Sequence, residues 1–157
     1  MAFNQNIDFL IRQQLVNLLQ GGFAPVVILL REFHYDKTGI VLDGLHFSAF
    51  SLLGHMQARQ NTLLNFMRDP ENNEEVWEDA HWPQKFAPDN EKEWLEAIDQ
   101  FEAELEEAIS IIQNPQTPLY EEQENGKTIS WAAMALFHHN GYHIGQMKAI
   151  GRQLGVW

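Results

Sequence analysis

The chain has 157 residues, of which 45% are hydrophobic and 11% aromatic; it has no cysteine and a formal charge of -12. That size fits one domain spanning 1–157, with enough apolar material to bury a core without staples, and the lack of cysteine excludes thiolate nucleophiles, disulfides and Cys-based zinc or iron–sulfur sites. The acidic balance makes nucleic acid a poor candidate partner, because binding a phosphate backbone rests on Lys and Arg, and no stretch approaches the roughly 20 apolar residues of a membrane span.

The start, Met1-Ala2-Phe3-Asn4-Gln5-Asn6, lacks the charged and apolar regions of a secretion signal, so a soluble cytoplasmic protein is the expectation. From Asn4 to about Gln20, Phe3, Ile7, Leu10, Ile11, Leu15, Leu18 and Leu19 recur at steps of three and four. This predicts an amphipathic helix, ended by Gly21-Gly22. From Ala24 to about Phe33 the run Val26-Val27-Ile28 would suit a strand, while Pro25 suits the first turn of a helix; the helix is preferred. Lys37-Thr38-Gly39 and Asp43-Gly44 mark turns.

A second long helix is predicted from about Ser48 to Met67, stopped by Asp69-Pro70. His55, Ser48, Arg59, Thr62 and Phe66 share one face of it at 100° per residue, a strip that is half polar, as a pocket wall would be. Residues 71–90 are acidic and hold Trp77, Trp82 and Phe86, too aromatic for a free linker, so a long ordered loop packed on the bundle is expected, its tryptophans serving as anchors more often than as a lid on a site. Asn90 with Glu93 forms a capping box for a third helix. Its positions Trp94, Ile98, Phe101, Leu105, Ala108 and Ile112 give the cleanest helical seam in the chain, closed by Asn114-Pro115.

After a second polar loop, Thr128 or Ser130 caps the last helix. Along it Ile129, Ala132, Leu136, His139, His143, Met147, Ile150 and Leu154 form one stripe, so two histidines occupy core positions. The periodic segments together predict an all-α helix bundle.

His139 and His143 are i,i+4 neighbours, with Cβ atoms about 5–6 Å apart on a helix. Both rings can therefore reach one metal ion. The pattern resembles the protease motif HExxH, but Asn140, which cannot take up a proton at neutral pH, stands where that motif has its Glu general base, and this argues against a zinc protease. Two buried imidazoles need partners for four ring nitrogens, and satisfied core histidines and metal ligands both answer that need. A catalytic zinc site takes three protein ligands and a structural one four. His34, His46, His55, His81 and His138 are the candidates for a third. Only His55 lies mid-helix in a strongly periodic segment, and His138 points about 100° away from His139. Gly141 and Gly145 form a small-residue face where another helix could approach closely, and Tyr142 points away from the histidine stripe.

Gly54-His55, the run HNGYHIGQ over 139–146, the tail Gly151-Arg152-Gln153-Leu154-Gly155-Val156-Trp157, and Trp77, Trp82-Pro83, Ala87-Pro88 and Trp94 in the middle resemble the DinB/YfiT-like metalloprotein superfamily. The likeness covers 55–157 well and the earlier residues by helix placement. It implies a four-helix bundle of up-down-down-up topology, with one divalent ion held by His55, His139 and His143. Neutral imidazoles suit zinc, nickel or iron. Relatives of this kind include thiol-dependent S-transferases, in which the metal lowers the pKa of a low-molecular-weight thiol. Arg59 is then a candidate anchor for a substrate carboxylate, with a surface or interhelical ion pair as the plain alternative. Gln146 is a candidate for orienting a ligand ring, or else a packed polar residue. The resemblance also allows a homodimer.

The expected function is a metal-dependent transferase joining a low-molecular-weight thiol to a small electrophile, or a hydrolase; a non-catalytic metal or small-ligand binding protein is the alternative. A carboxylate di-metal bundle would need two ExxH repeats on helices. Only Glu78-Asp79-Ala80-His81 fits, and it falls in the loop.

Overall fold

The computed structural model describes residues 5–22, 25–71 and 82–157. Its order is α1 (Gln5–Leu19), α2 (Val26–Arg31), a 3-10 turn at Tyr35–Lys37, α3 (Ala49–Arg68), α4 (Glu91–Gln113) and α5 (Ile129–Gln153). No strand occurs among the described residues, so the Val26-Val27-Ile28 run is helical. Phe3, Trp77 and the Glu78-Asp79-Ala80-His81 sequence lie outside the described residues.

α3 is the central element, packing against both α4 and α5, while α1 packs on α4 and α5 and α2 mainly on α4. Leu52, Leu53, Met56 and Leu64 from α3, Trp94, Ile98, Phe101 and Ile112 from α4, and Leu136 and Met147 from α5 form the fully buried heart of one core cluster. Every position of the seam read for α4 is buried.

The seam read for α1 is only partly so. Ile7, Leu10 and Leu18 are exposed, and the inward face carries Arg12, Leu15, Val16 and Leu19. The reason is Arg12, which apolar periodicity cannot place inside. Its Nη1 donates to the carbonyls of Ile112 and Asn114, both at 2.8 Å, and Nη2 donates to Thr117 at 2.8 Å, while Nε reaches Asp8 at 2.9 and 3.0 Å. One guanidinium thus serves carbonyls at and beyond the α4 C-terminus, where a helix leaves acceptors without intrahelical partners.

The caps hold each helix in phase. At α3, Ser48 Oγ accepts from Ser51 N–H at 3.1 Å and Ser51 Oγ accepts from Ser48 N–H at 2.9 Å, closing a reciprocal box. At α5, Thr128 Oγ1 accepts from Trp131 N–H at 3.0 Å. At α4, Asn90 Oδ1 accepts from Glu93 N–H at 3.0 Å, but the return half of the expected box is missing. Glu93 instead binds Lys85 Nζ and the Asp89 N–H. The Lys85 ammonium first, and the Asp89 amide after it, hold the Glu93 carboxyl below the ordinary carboxylate range. These bonds, with Ser48 Oγ donating to the Phe86 carbonyl, fix the described end of the α3–α4 connection against both helices. The tail is tied back as well: Trp157 Nε1 donates to Glu32 at 2.7 Å and Lys37 Nζ to the Leu154 carbonyl at 2.7 Å.

Candidate metal centre

His55 lies two turns into α3. The Ser48 cap sets the phase in which Leu52, His55 and Met56 all turn inward, and His55 is 0% exposed. Opposite it, α5 presents His143, buried, and His139, half-buried, one turn apart. The Nε2 atom of His55 stands 3.1 Å from His143 Nε2 and 3.2 Å from His139 Nε2. Each of the three offers a ligand nitrogen, and these all lie within 4.8 Å of one another.

The convergence has a chemical consequence. A neutral imidazole carries one N–H and one lone pair. His143 Nδ1 is 2.7 Å from Gln146 Oε1; with the amide oxygen accepting, Nδ1 carries the proton and Nε2 presents its lone pair to the cluster. A proton on His55 Nε2 could serve one of its two Nε2 neighbours well, not both. A single cation serves all three nitrogens. Tetrahedral zinc with ligands at 2.0–2.1 Å requires nitrogens about 3.3–3.4 Å apart, and the two separations on His55 come within a few tenths of an ångström of that. The three histidines lie close enough to hold one metal ion.

One wall of the site is aromatic. The Trp82 ring stacks on His55 at a centroid distance of 4.0 Å and an interplanar angle of 7°, and it also meets Phe47 at 5.2 Å, His46 at 5.8 Å and, edge-on, His143 at 6.2 Å. The backbone makes room for this through Gly54. A Cβ there would come to 2.9 Å from Pro83 Cγ, so the glycine before the ligand lets the proline after the tryptophan seat against α3. The Gly-His and Trp-Pro pairs, far apart in the chain, are two halves of one contact. Of the two readings open for Trp82, a lid on the site or a packing anchor, the stacking on His55 places it against the site, and the mid-helix Gly54 beside His55 is the sequence feature that goes with that contact.

Arg59, one turn beyond His55 on α3, is half-buried and makes no hydrogen bond or ion pair among the described residues. The surface or interhelical ion pair weighed as its plain role is therefore not formed among the described residues. His34, His46 and His138 are exposed, and His81 lies outside the described residues. Gly141 and Gly145 do not form a close helix contact: a Cβ at either would meet nothing within 4 Å, because the buried side of α5 runs through Leu136, Asn140, His143 and Met147 instead. Tyr142 is exposed, yet its ring meets that of His143 edge-on at 4.9 Å rather than pointing clear of it. Gln146 also borders a crevice of about 200 Å³, whose apolar lining includes Leu42, Leu45, Phe47 and Ile150.

The described residues thus form an all-helical fold with a three-histidine cluster at the contact of two of its helices. No family model, curated protein or solved structure matches this chain. Among the described residues no helix is long and apolar enough to cross a membrane.

Proposed function

We propose that this chain is a DinB/YfiT-like metal-dependent transferase that joins a low-molecular-weight thiol to a small electrophile. The reading includes the up-down-down-up bundle of that superfamily and a divalent ion, zinc, nickel or iron, on His55, His139 and His143. The observation that carries it is the convergence of three imidazole Nε2 atoms, 3.1 and 3.2 Å apart about His55, at a spacing suited to one ion.

Three is the ligand number of a catalytic zinc site, where a closed structural site has four, and among the described residues the group has three members. A divalent ion held there supplies a Lewis acid that lowers the pKa of a bound thiol. The thiol comes from outside, since the chain has no cysteine.

The protein's own groups do the positioning. Gln146 Oε1 accepts a hydrogen bond from His143 Nδ1–H and so fixes which nitrogen faces the cluster. Trp82 covers the ring face of His55 and keeps water from it. Arg59 offers a guanidinium one turn along α3 to a carboxylate on the thiol or the electrophile. The crevice beside Gln146 is small, in keeping with a small substrate.

The test is consumption of thiol in the presence of an electrophile, across several low-molecular-weight thiols, with zinc, nickel or iron added and with the protein stripped of metal. Metal-dependent consumption that is lost in His143→Ala is the expected result. Metal bound without turnover in any combination would move the chain to the non-catalytic binding reading.

A further inference from the structure

α5 carries a second polar feature that the metal centre does not use. Asn140 adjoins His139 in the chain, but it turns toward α1 and α2 while the histidines turn toward α3. It is 4% exposed, and among the described residues neither its Nδ2 nor its Oδ1 has a hydrogen-bond partner. A primary amide offers two donors and an acceptor, and buried polar groups left unmatched are rare and call for an explanation. Asn140 lines a crevice of about 60 Å³ between the end of α1, the start of α2 and α5, with Leu19, Val26, Phe137 and Ile144 among its apolar walls and exposed Gly141 at its edge.

The geometry points to a binding site for a small neutral carboxamide or lactam. Such a group presents a donor and an acceptor side by side and can pair with both Asn140 atoms at once. A carboxylate only accepts, so it would leave Oδ1 unmatched, and a chain with a formal charge of -12 disfavours an anion. The apolar walls select an aliphatic body. A water requires about 10–15 Å³ of such volume and an engineered 150 Å³ cavity takes benzene, so the crevice suits a ligand head of a few heavy atoms with the remainder at the open edge. The site is independent of the metal reading.

Isobutyramide is the probe, titrated into the full-length protein while ¹H–¹⁵N spectra report the Asn140 side-chain NH₂ and the backbone amides of Leu19, Gly141 and Ile144. Saturable shifts at these groups are expected. 3-Methylbutan-2-one has the same shape with a methyl in place of the NH₂, and it should bind about ten-fold or more weakly, because it leaves one Asn140 atom unmatched. Asn140→Leu should abolish the shifts at Leu19 and Ile144. Gly141→Leu, which narrows the edge and leaves the amide in place, should weaken binding in the same sense and covers the case in which Asn140→Leu fails to fold. No saturable shift in wild type, equal binding of the ketone, or unchanged binding in Gly141→Leu would each overturn the proposal.

Discussion

Gln146 holds its amide oxygen 2.7 Å from His143 Nδ1, so a neutral acceptor sets the tautomer of one candidate ligand. Replacing it with leucine keeps the size and removes the acceptor. Groups that orient a ligand ring in this way typically contribute 10–100-fold in metal affinity. Gln146→Leu is therefore expected to weaken metal binding by about that factor, measured by competition with a chromophoric chelator, with unfolding little changed; equal affinity would make Gln146 a packed polar residue only. Which single residues could be read from sequence follows from how local their signal is. His139 and His143 were visible as a pair because one helical turn fixes their spacing. His55 stood out only as the mid-helix histidine among several, and its place beside the other two depends on how α3 packs on α5. Trp82 could be read as an anchor or a lid but not assigned to His55, since its stacking there is a contact across the α3–α4 connection.

At the level of elements, α4 was legible throughout because its seam from Trp94 to Ile112 is apolar and regular. α1 was not, because its inward face includes a charged residue. Arg12 is 7% exposed and its donors meet three backbone carbonyls and Asp8. Arg12→Ala leaves those carbonyls without their partner and is expected to destabilise the fold by about 3 kcal/mol, measured by urea unfolding; a loss under about 0.5 kcal/mol, the range of a neutral surface change, would contradict the capping role. Two mid-helix glycines make a paired test. Alanine normally stabilises a helix interior by about 0.5–1 kcal/mol over glycine. Gly141→Ala, with open space around its Cβ, should show that gain. Gly54→Ala should not, since its Cβ would stand 2.9 Å from Pro83 Cγ, and should instead weaken metal binding by displacing Trp82 from His55. Equal stabilisation in both variants would mean that Pro83 yields freely and that Gly54 has no part in the site.

Over the whole molecule, the all-helical class was readable from periodicity, because four segments of helical length alternate with polar, Pro- and Gly-containing connections. Which helices touch was not, and the histidine cluster exists only through the contact of α3 with α5. An ion bound there would link helices whose ligands are 84 and 88 residues apart in the chain, and ligand bound to the folded state alone stabilises it by about 2.7 kcal/mol at a concentration 100 times Kd. Added zinc, nickel or iron should accordingly raise the Tm of wild type, and raise it much less in His143→Ala. Elemental analysis of purified wild type beside His55→Ala, His139→Ala and His143→Ala, each first shown to unfold cooperatively, tests the metal centre most directly. About one divalent ion per chain in wild type and its loss from all three variants is the predicted result. Metal content unchanged by all three substitutions would contradict it.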